Sequence, residues 1–339
     1  MGLLRRIARA RLAGRMLRRL RRAGVTDARY LSRPFEIRFT APGDAEPTIL
    51  PLAPFLSGRR TPDDLIAELL RVPVSWREAA PLLRPVLRGS VPGSPLHRPV
   101  LPFLSEFVVV DQPDTMTYVT EAQSATWRST ADLIFATARA NLTGATIQGD
   151  VTTVRFVDDG DAYWTSHLLL PGWLSRLAEQ LGGAPVAFAP ERGTLLVTAA
   201  GSPHLPALFA EVERLFVTSP HPLSPMAYVS DENGCTVPYR PGPDDELFRA
   251  TRRAECLLAM HEYARHPAPG EAALTMVDGW RTRALWPADG PILLPEADEV
   301  TFGDRTVPWA DLLPHLTRTG HEPPRWSASS WPVPDDQGL

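Results

Sequence analysis

The sequence predicts an α+β protein with mostly antiparallel sheets and a C-terminal α+β extension. The chain has 339 residues and is 44% hydrophobic, which is enough to bury a sizeable core. Its helical and strand-like patterns do not alternate regularly enough for a parallel doubly wound sheet. Residues 14–40 and 173–199 both show the order helix, glycine, strand, turn and strand. This suggests two copies of one helix–hairpin–helix unit.

The first predicted element is a helix over residues 3–23. Its apolar residues recur at spacings of three and four, as in an amphipathic helix. They are Leu3, Ile7, Ala10, Ala13, Leu17 and Leu20. Arginines fill the other faces, and Gly24 is a suitable C-terminal stop.

Shorter elements follow, each with its own local signal. Phe35, Ile37 and Phe39 alternate with charged residues, which predicts a half-buried strand. Glycine at position 193 suits the tight turn of a hairpin. The predicted strands are 35–39, 48–52, 107–110, 151–157, 186–188, 195–198, 274–277, 282–286, 292–294 and 299–302. One predicted helix begins at Thr61. The others cover residues 76–87, 125–141, 173–181, 205–217, 244–265 and 309–316.

Composition shifts divide the chain into four predicted segments. Residues 1–100 would hold the basic helix and a first α+β unit, and residues 101–240 a central unit with the second helix–hairpin–helix. Residues 241–322 would hold a long helix and short strands. Residues 323–339 are rich in proline and serine, which predicts a frayed tail.

Charge and cysteine content narrow the class of protein. The net charge is −4, and all 35 basic residues are arginines, as in GC-rich genomes. This balance argues against a general nucleic-acid binder, although residues 1–29 carry ten arginines and only one acid. Cys235 and Cys256 form neither a disulfide framework nor a metal motif. No apolar run could span a membrane and no secretory signal is recognisable, so we expect a cytoplasmic protein.

The chain shows none of the common catalytic or phosphate-binding motifs. If it is a hydrolase, its acid and base groups would come from Asp158, Asp161, Glu191 or His261. His261 and His266 are five residues apart, which turns the second by about 140° from the first on a helix. A zinc helix needs a spacing of four, so we expect neither a metal nor another cofactor.

The arginine-rich helix is the most informative feature for binding. The candidate binding residues are Arg5, Arg9, Arg15, Arg18, Arg19 and Arg22. These guanidinium groups could lie on an anionic membrane or contact nucleic-acid phosphates. Alternatively, the helix packs on a sheet and its guanidinium groups are solvated or paired with the acidic body.

Scattered motifs also resemble a known family. They include the stretch 102–111, Trp127 with Asn141-Leu142, the stretch 166–217, and Val307-Pro308-Trp309. In this order the motifs resemble the YtpQ-like proteins, a bacterial family of unknown function. The resemblance implies a cytosolic α+β fold and carries over no catalytic residue.

Together these features predict a non-enzymatic cytoplasmic protein that acts by binding a protein partner, as an adaptor or a chaperone-like protein. A hydrolase of unrecognised class is the first alternative. Peripheral attachment to a membrane or nucleic acid through residues 1–23 is the second.

Overall fold

The computed structural model describes residues 3–22, 25, 27–40, 48–53, 73, 75–89, 91, 95–112, 115–142, 152–157, 163–287 and 290–331. These residues form helices and mostly antiparallel sheets joined by turns and loops, so the predicted α+β class is confirmed. Contacts divide the chain into two compact units. The first comprises residues 1–100, 104–146 and 158–173, and the second comprises residues 101–103, 147–157 and 174–339. The predicted segment 101–240 thus contributes residues to both units.

The described part of the first unit combines helices with two small sheets. Its helices are α1 (Leu3–Arg22), α2 (Trp76–Ala79), α3 (Glu121–Trp127) and α4 (Ala131–Ala140). Its strands are β1 (Arg29–Leu31), β2 (Glu36–Phe39), β3 (Thr48–Pro51), β4 (Leu83–Arg88), β5 (His97–Leu101), β6 (Leu104–Gln112) and β7 (Thr115–Tyr118). One sheet has the antiparallel order β1-β2-β3. In the other, β6 lies between β4 and β5 and also pairs with β7.

Helix α1 packs through one face into the core of the first unit. Leu12, Ala13, Met16 and Leu20 are buried there, in one cluster with residues of β2 and β3 such as Ile37. The predicted apolar stripe was correct at Ala13 and Leu20 but wrong at Ala10, which is exposed. The observed face is turned by roughly 90° from the predicted one, because the partner sheet selects which residues are covered.

Two predicted helices differ from the observed ones in their bounds, because of prolines and helix N-caps. The helix predicted over 76–87 ends early, and its second half is β4, because Pro81 and Pro85 cannot continue a helix. The helix predicted over 125–141 is two helices. Thr120 caps α3 in a capping box with Gln123, and Thr130 accepts a hydrogen bond from the N–H of Leu133 to start α4.

The second unit contains longer helices and three sheets in its described part. Its helices are α5 (Ala178–Leu181), α6 (Leu205–Thr218), α7 (Phe248–Arg265) and α8 (Trp309–Leu312). Its strands are β8 (Thr153–Val157), β9 (Pro185–Glu191), β10 (Thr194–Ala199), β11 (Ala227–Ser230), β12 (Thr236–Pro238), β13 (Ala273–Val277), β14 (Arg281–Trp286), β15 (Ile292–Pro295), β16 (Glu299–Phe302), β17 (Arg305–Pro308), β18 (Thr317–Arg318) and β19 (Arg325–Ala328). The orders are β12-β11-β9-β10-β8, β13-β14-β16-β17 and β15-β19-β18. Only the pair of β14 and β16 is parallel among these described strand pairs.

Both segments of the suggested duplication contain a helix followed by an antiparallel hairpin. The hairpin after α1 is β1 with β2, and the hairpin after α5 is β9 with β10. Helix α6 follows the second hairpin and buries Leu208, Phe209 and Val212 against it. The helix that should follow the first hairpin, beginning at Thr61, lies outside the described residues.

The predicted frayed tail contains a paired strand, β19. Strand β19 lies between β15 and β18 and pairs with both. Its first residue, Arg325, is buried. Pairing with two other strands thus orders a segment whose proline and serine content had predicted fraying. Residues 332–339 lie outside the described part. Over the residues that the structure describes, no helix has the length and apolar character needed to cross a bilayer.

Candidate binding surface

The outward face of α1 carries three exposed arginines in a row. Arg11, Arg15 and Arg18 are spaced by four and three residues, so they lie on one side of the helix. At 100° per residue this side is opposite to the buried face around Met16. We call these three residues the arginine line.

The arginine line is not neutralised by described acidic groups. Helix α1 contains nine arginines and no acid over its 20 residues. For Arg11, Arg15 and Arg18 the described side chains provide no ion pair. Residues 1–29 have a formal charge of +9, and because the whole chain has −4, residues 30–339 have −13. The segment that contains α1 therefore has a net positive charge, whereas the rest of the chain has a net negative charge.

The six predicted binding arginines do not all lie in the same environment. Arg15 and Arg18 belong to the arginine line, whereas the half-buried Arg9 has its guanidinium carbon 4.0 Å from the centre of the Phe35 ring. This cation–π contact turns Arg9 towards the core side. The side chains of three further residues, which are all helical, lie outside the described part: Arg5, Arg19 and Arg22.

Sequence reasoning missed two exposed arginines of α1. Arg11 and Arg21 are exposed, and neither was among the predicted binding residues. The spacing of Arg11 to Arg15 and Arg18 was the signal that could have identified it.

The candidate catalytic residue Glu191 has a structural role at the end of β9. Its Oε1 accepts a hydrogen bond of 2.7 Å from the hydroxyl of Thr194, and its Oε2 accepts one of 2.9 Å from Ser219. The bond from Thr194 lies within the hairpin, and the bond from Ser219 joins the hairpin to the segment after α6. Asp158 and Asp161, the other acidic candidates, lie outside the described residues.

The end of α7 gathers two histidines around a buried carboxylate. His261 Nε2 lies 4.0 Å from Glu262 Oε1, and His266 Nε2 lies 3.9 Å from Glu262 Oε2. We expected His266 to project from a different side of the helix than His261. This was wrong, because the helix ends before His266, whose φ is −125° and ψ is 57°. Arg265 donates to Glu262 Oε1 at 3.2 Å. Glu191 and His261 share no hydrogen bond or ion pair in the described structure.

Both histidines have a lowered pKa. Burial lowers the pKa of His261, and the charges of Arg265 and His266 lower it further. Burial also lowers the pKa of His266, helped by Arg265 and Arg325. The ring of His261 packs against the edge of Phe216 with 5.0 Å between centres. Within the described ranges, no group of three or more His, Cys, Asp and Glu side chains is arranged to hold a metal ion.

The two cysteines differ in exposure. Cys235 is exposed and Cys256, on α7, is buried. Burial raises the pKa of Cys256 to about 12, with a further rise from Asp298 that outweighs the lowering by Arg252. A thiol with so high a pKa is a weak nucleophile at neutral pH.

Comparison with known proteins adds no relative to this description. The resemblance to the YtpQ-like proteins stays a prediction, as does everything that it implies. No protein-family model, no curated protein and no solved structure matches the chain.

Proposed function

We propose that the protein is a non-enzymatic binding protein that holds an anionic partner through the arginine line. One observation carries this proposal. The apolar face of α1 is buried in the core, while Arg11, Arg15 and Arg18 on the opposite face are exposed and have no described acidic partner.

Fixing α1 to the core prepares these arginines for binding. The helix keeps three guanidinium groups in a row, so a partner does not have to order the backbone that carries them. A single exposed ion pair contributes little, and only a set of charges acting together gives useful affinity. Guanidinium groups also match phosphate and carboxylate groups with two parallel hydrogen bonds. An adaptor or chaperone-like role in the cytoplasm fits such a surface.

The hydrolase alternative has less support. Both carboxylate oxygens of Glu191 accept hydrogen bonds from hydroxyl groups, and His261 packs against Phe216. A general acid or base needs reach to a substrate and to its catalytic partner. The contacts of these two residues are those of packing and loop attachment.

Retention on heparin–agarose tests the proposal with the full chain. The variant R11Q/R15Q/R18Q removes three charges from exposed positions, and we expect it to elute at lower salt than wild type. The matched control R214Q/R249Q/R318Q removes three charges from exposed arginines outside α1. We expect the control to elute close to wild type. Equal elution of all three proteins, or an equal shift in both variants, overturns the proposal.

A further inference from the structure

We propose that acid releases strand β19 from the end of α7, and that His266 is the group that takes up the proton. This inference goes beyond the proposed function and does not depend on the arginine line. It rests on the position of His266. The side chain of His266 lies beside a buried carboxylate, while its backbone carbonyl binds the first residue of β19.

Three contacts attach the start of β19 to α7 and to the segment after it. The hydroxyl of Tyr263 donates to the carbonyl oxygen of Pro324 at 2.8 Å. The guanidinium of Arg325 donates to the carbonyl oxygen of His266 and forms an ion pair with Glu271. A displacement of the backbone at His266 therefore removes one of the bonds that hold Arg325.

The docked position of His266 offers no acceptor for an added proton. Its side chain is 28% exposed, but its Nε2 atom is buried and has no hydrogen-bond partner among the described residues. Oε2 of Glu262 lies 3.9 Å away, which is longer than a hydrogen bond. Glu262 already pairs with Arg265 at 3.2 Å. A protonated ring in this position would place a charged N–H in a buried site without an acceptor, which costs free energy.

The charges around His266 act in the same direction as its burial. Burial lowers the pKa of His266, and the charges of Arg265 and Arg325 lower it further. The docked ring thus binds a proton less readily than a solvated ring, whose pKa is about 6.5. Below that pH the undocked form binds more protons than the docked form, so a falling pH favours undocking.

The other groups that pack near this contact do not reverse the effect. Burial lowers the pKa of His261 too, and the charges of Arg265 and His266 add to this. Phe216, which packs on His261 from α6, carries no charge. Burial raises the pKa of Tyr263 to about 12, so its hydroxyl keeps its proton in this pH range.

One further histidine lies close to β19 and could compete as the source of a pH effect. His321 is exposed, and its Nδ1 lies 2.8 Å from the hydroxyl oxygen of Thr319. That hydroxyl donates to the carbonyl oxygen of Arg325 at 3.0 Å. His321 therefore provides the matched control for His266, because it reaches the same strand from an exposed position.

Hydrogen exchange of the full chain, measured at pH 7 and pH 5, tests the inference. Residues 323–331 report on β19, and residues 194–199 of β10 report on a strand of another sheet. After correction for the intrinsic exchange rate, we expect the protection of 323–331 to fall severalfold on acidification. The protection of 194–199 should change much less. Unchanged or increased protection of 323–331 in wild type overturns the inference, and so does an equal fall in both segments.

Two variants identify the responsible histidine. H266Q removes the titrating ring, so the protection of 323–331 should fall much less between pH 7 and pH 5 than in wild type. H321Q should follow the wild-type profile. Circular dichroism at pH 7 verifies that both variants are folded. A wild-type fall that persists in H266Q, or one that disappears in H321Q, overturns the role of His266.

Discussion

Arg325 and Glu271 form a bidentate ion pair inside the second unit. Arg325 Nε lies 2.9 Å from Glu271 Oε1, and Arg325 Nη2 lies 3.0 Å from Glu271 Oε2. The guanidinium also donates to the carbonyl oxygens of Pro323, at 2.8 Å, and of His266. Its carbon lies 5.1 Å from the centre of the Tyr263 ring. One buried side chain thus attaches β19 to the end of α7 and the segment that follows it.

Replacing Arg325 with methionine should destabilise the second unit by about 3–5 kcal/mol. The change leaves Glu271 without its charge partner in a largely buried position. The double variant R325M/E271Q should recover part of the loss. Urea unfolding followed by tryptophan fluorescence measures both. The control R318M changes an exposed arginine on the neighbouring strand β18. A loss for R325M no larger than that for R318M would contradict the structural role.

A second buried ion-pair cluster lies in the first unit. Glu106 is fully buried and accepts from Arg98 Nε at 2.6 Å and from Arg139 Nε and Nη2, both at 2.8 Å. Glu106→Gln keeps the shape but removes the charge that both arginines share, so we expect a loss of about 3 kcal/mol.

The exposed pair of Glu36 and Arg38 provides the control for this ion-pair cluster. Their side chains are 15% and 54% exposed, so Glu36→Gln should cost less than about 1 kcal/mol. High salt should reduce the effect of Glu36→Gln more than that of Glu106→Gln. Equal losses in urea unfolding would show that the burial of Glu106 does not matter.

The pair His261 and His266 should make stability depend on pH. Their pKa values are lower in the folded protein than in the unfolded chain. The unfolded chain therefore binds more protons once the pH falls below about 6.5, and the free energy of unfolding decreases with falling pH. Glu262, Arg265 and Arg325 are the charged groups facing the two rings. Urea midpoints measured between pH 7 and pH 5 follow this loss.

Two variants test whether these histidines are responsible. H261Q/H266Q removes both titrating rings and should lose less stability than wild type between pH 7 and pH 5. His315→Gln changes an exposed histidine and should follow the wild-type profile. Parallel profiles for wild type and H261Q/H266Q would refute the assignment.

The two cysteines should react with a thiol reagent at very different rates. Cys235 is exposed and should react within minutes at pH 8. Cys256 is buried and its pKa is about 12, so about one thiol in ten thousand is ionised at that pH. Absorbance of the released dye should report one fast thiol in wild type and in C256S, but none in C235S. A fast second thiol in folded wild type would contradict the buried position.

Local signals predicted much of the fold. The hairpin around Gly193 and helix α6 follow from alternation, a tight turn and helical spacing, all within about 35 residues of chain. Elements that depend on distant partners were missed or misassigned. Strand β4 contains Pro85 and is a strand because it pairs with β6. Strand β19 pairs with β15, about 30 residues earlier in the chain.

The candidate surface could be predicted only in part. The charge of α1 is visible in the sequence, and Arg15 and Arg18 were among the predicted residues. The choice of outward arginines depends on which face the sheet covers, and Arg9 contacts Phe35 for this reason. The approach of His266 to Glu262 depends on where α7 ends, which the spacing of the histidines does not specify.

Strand β19 lies between two strands that precede it in the chain, so this sheet can be completed only after β19 has been synthesised. A nascent chain that has emerged only as far as Arg318 already contains β15 and β18, but it lacks the strand that pairs with both. Until residues 325–328 leave the ribosome, both strands present unpaired backbone groups to other chains. Translation that stalls or terminates in this interval would thus produce an aggregation-prone protein.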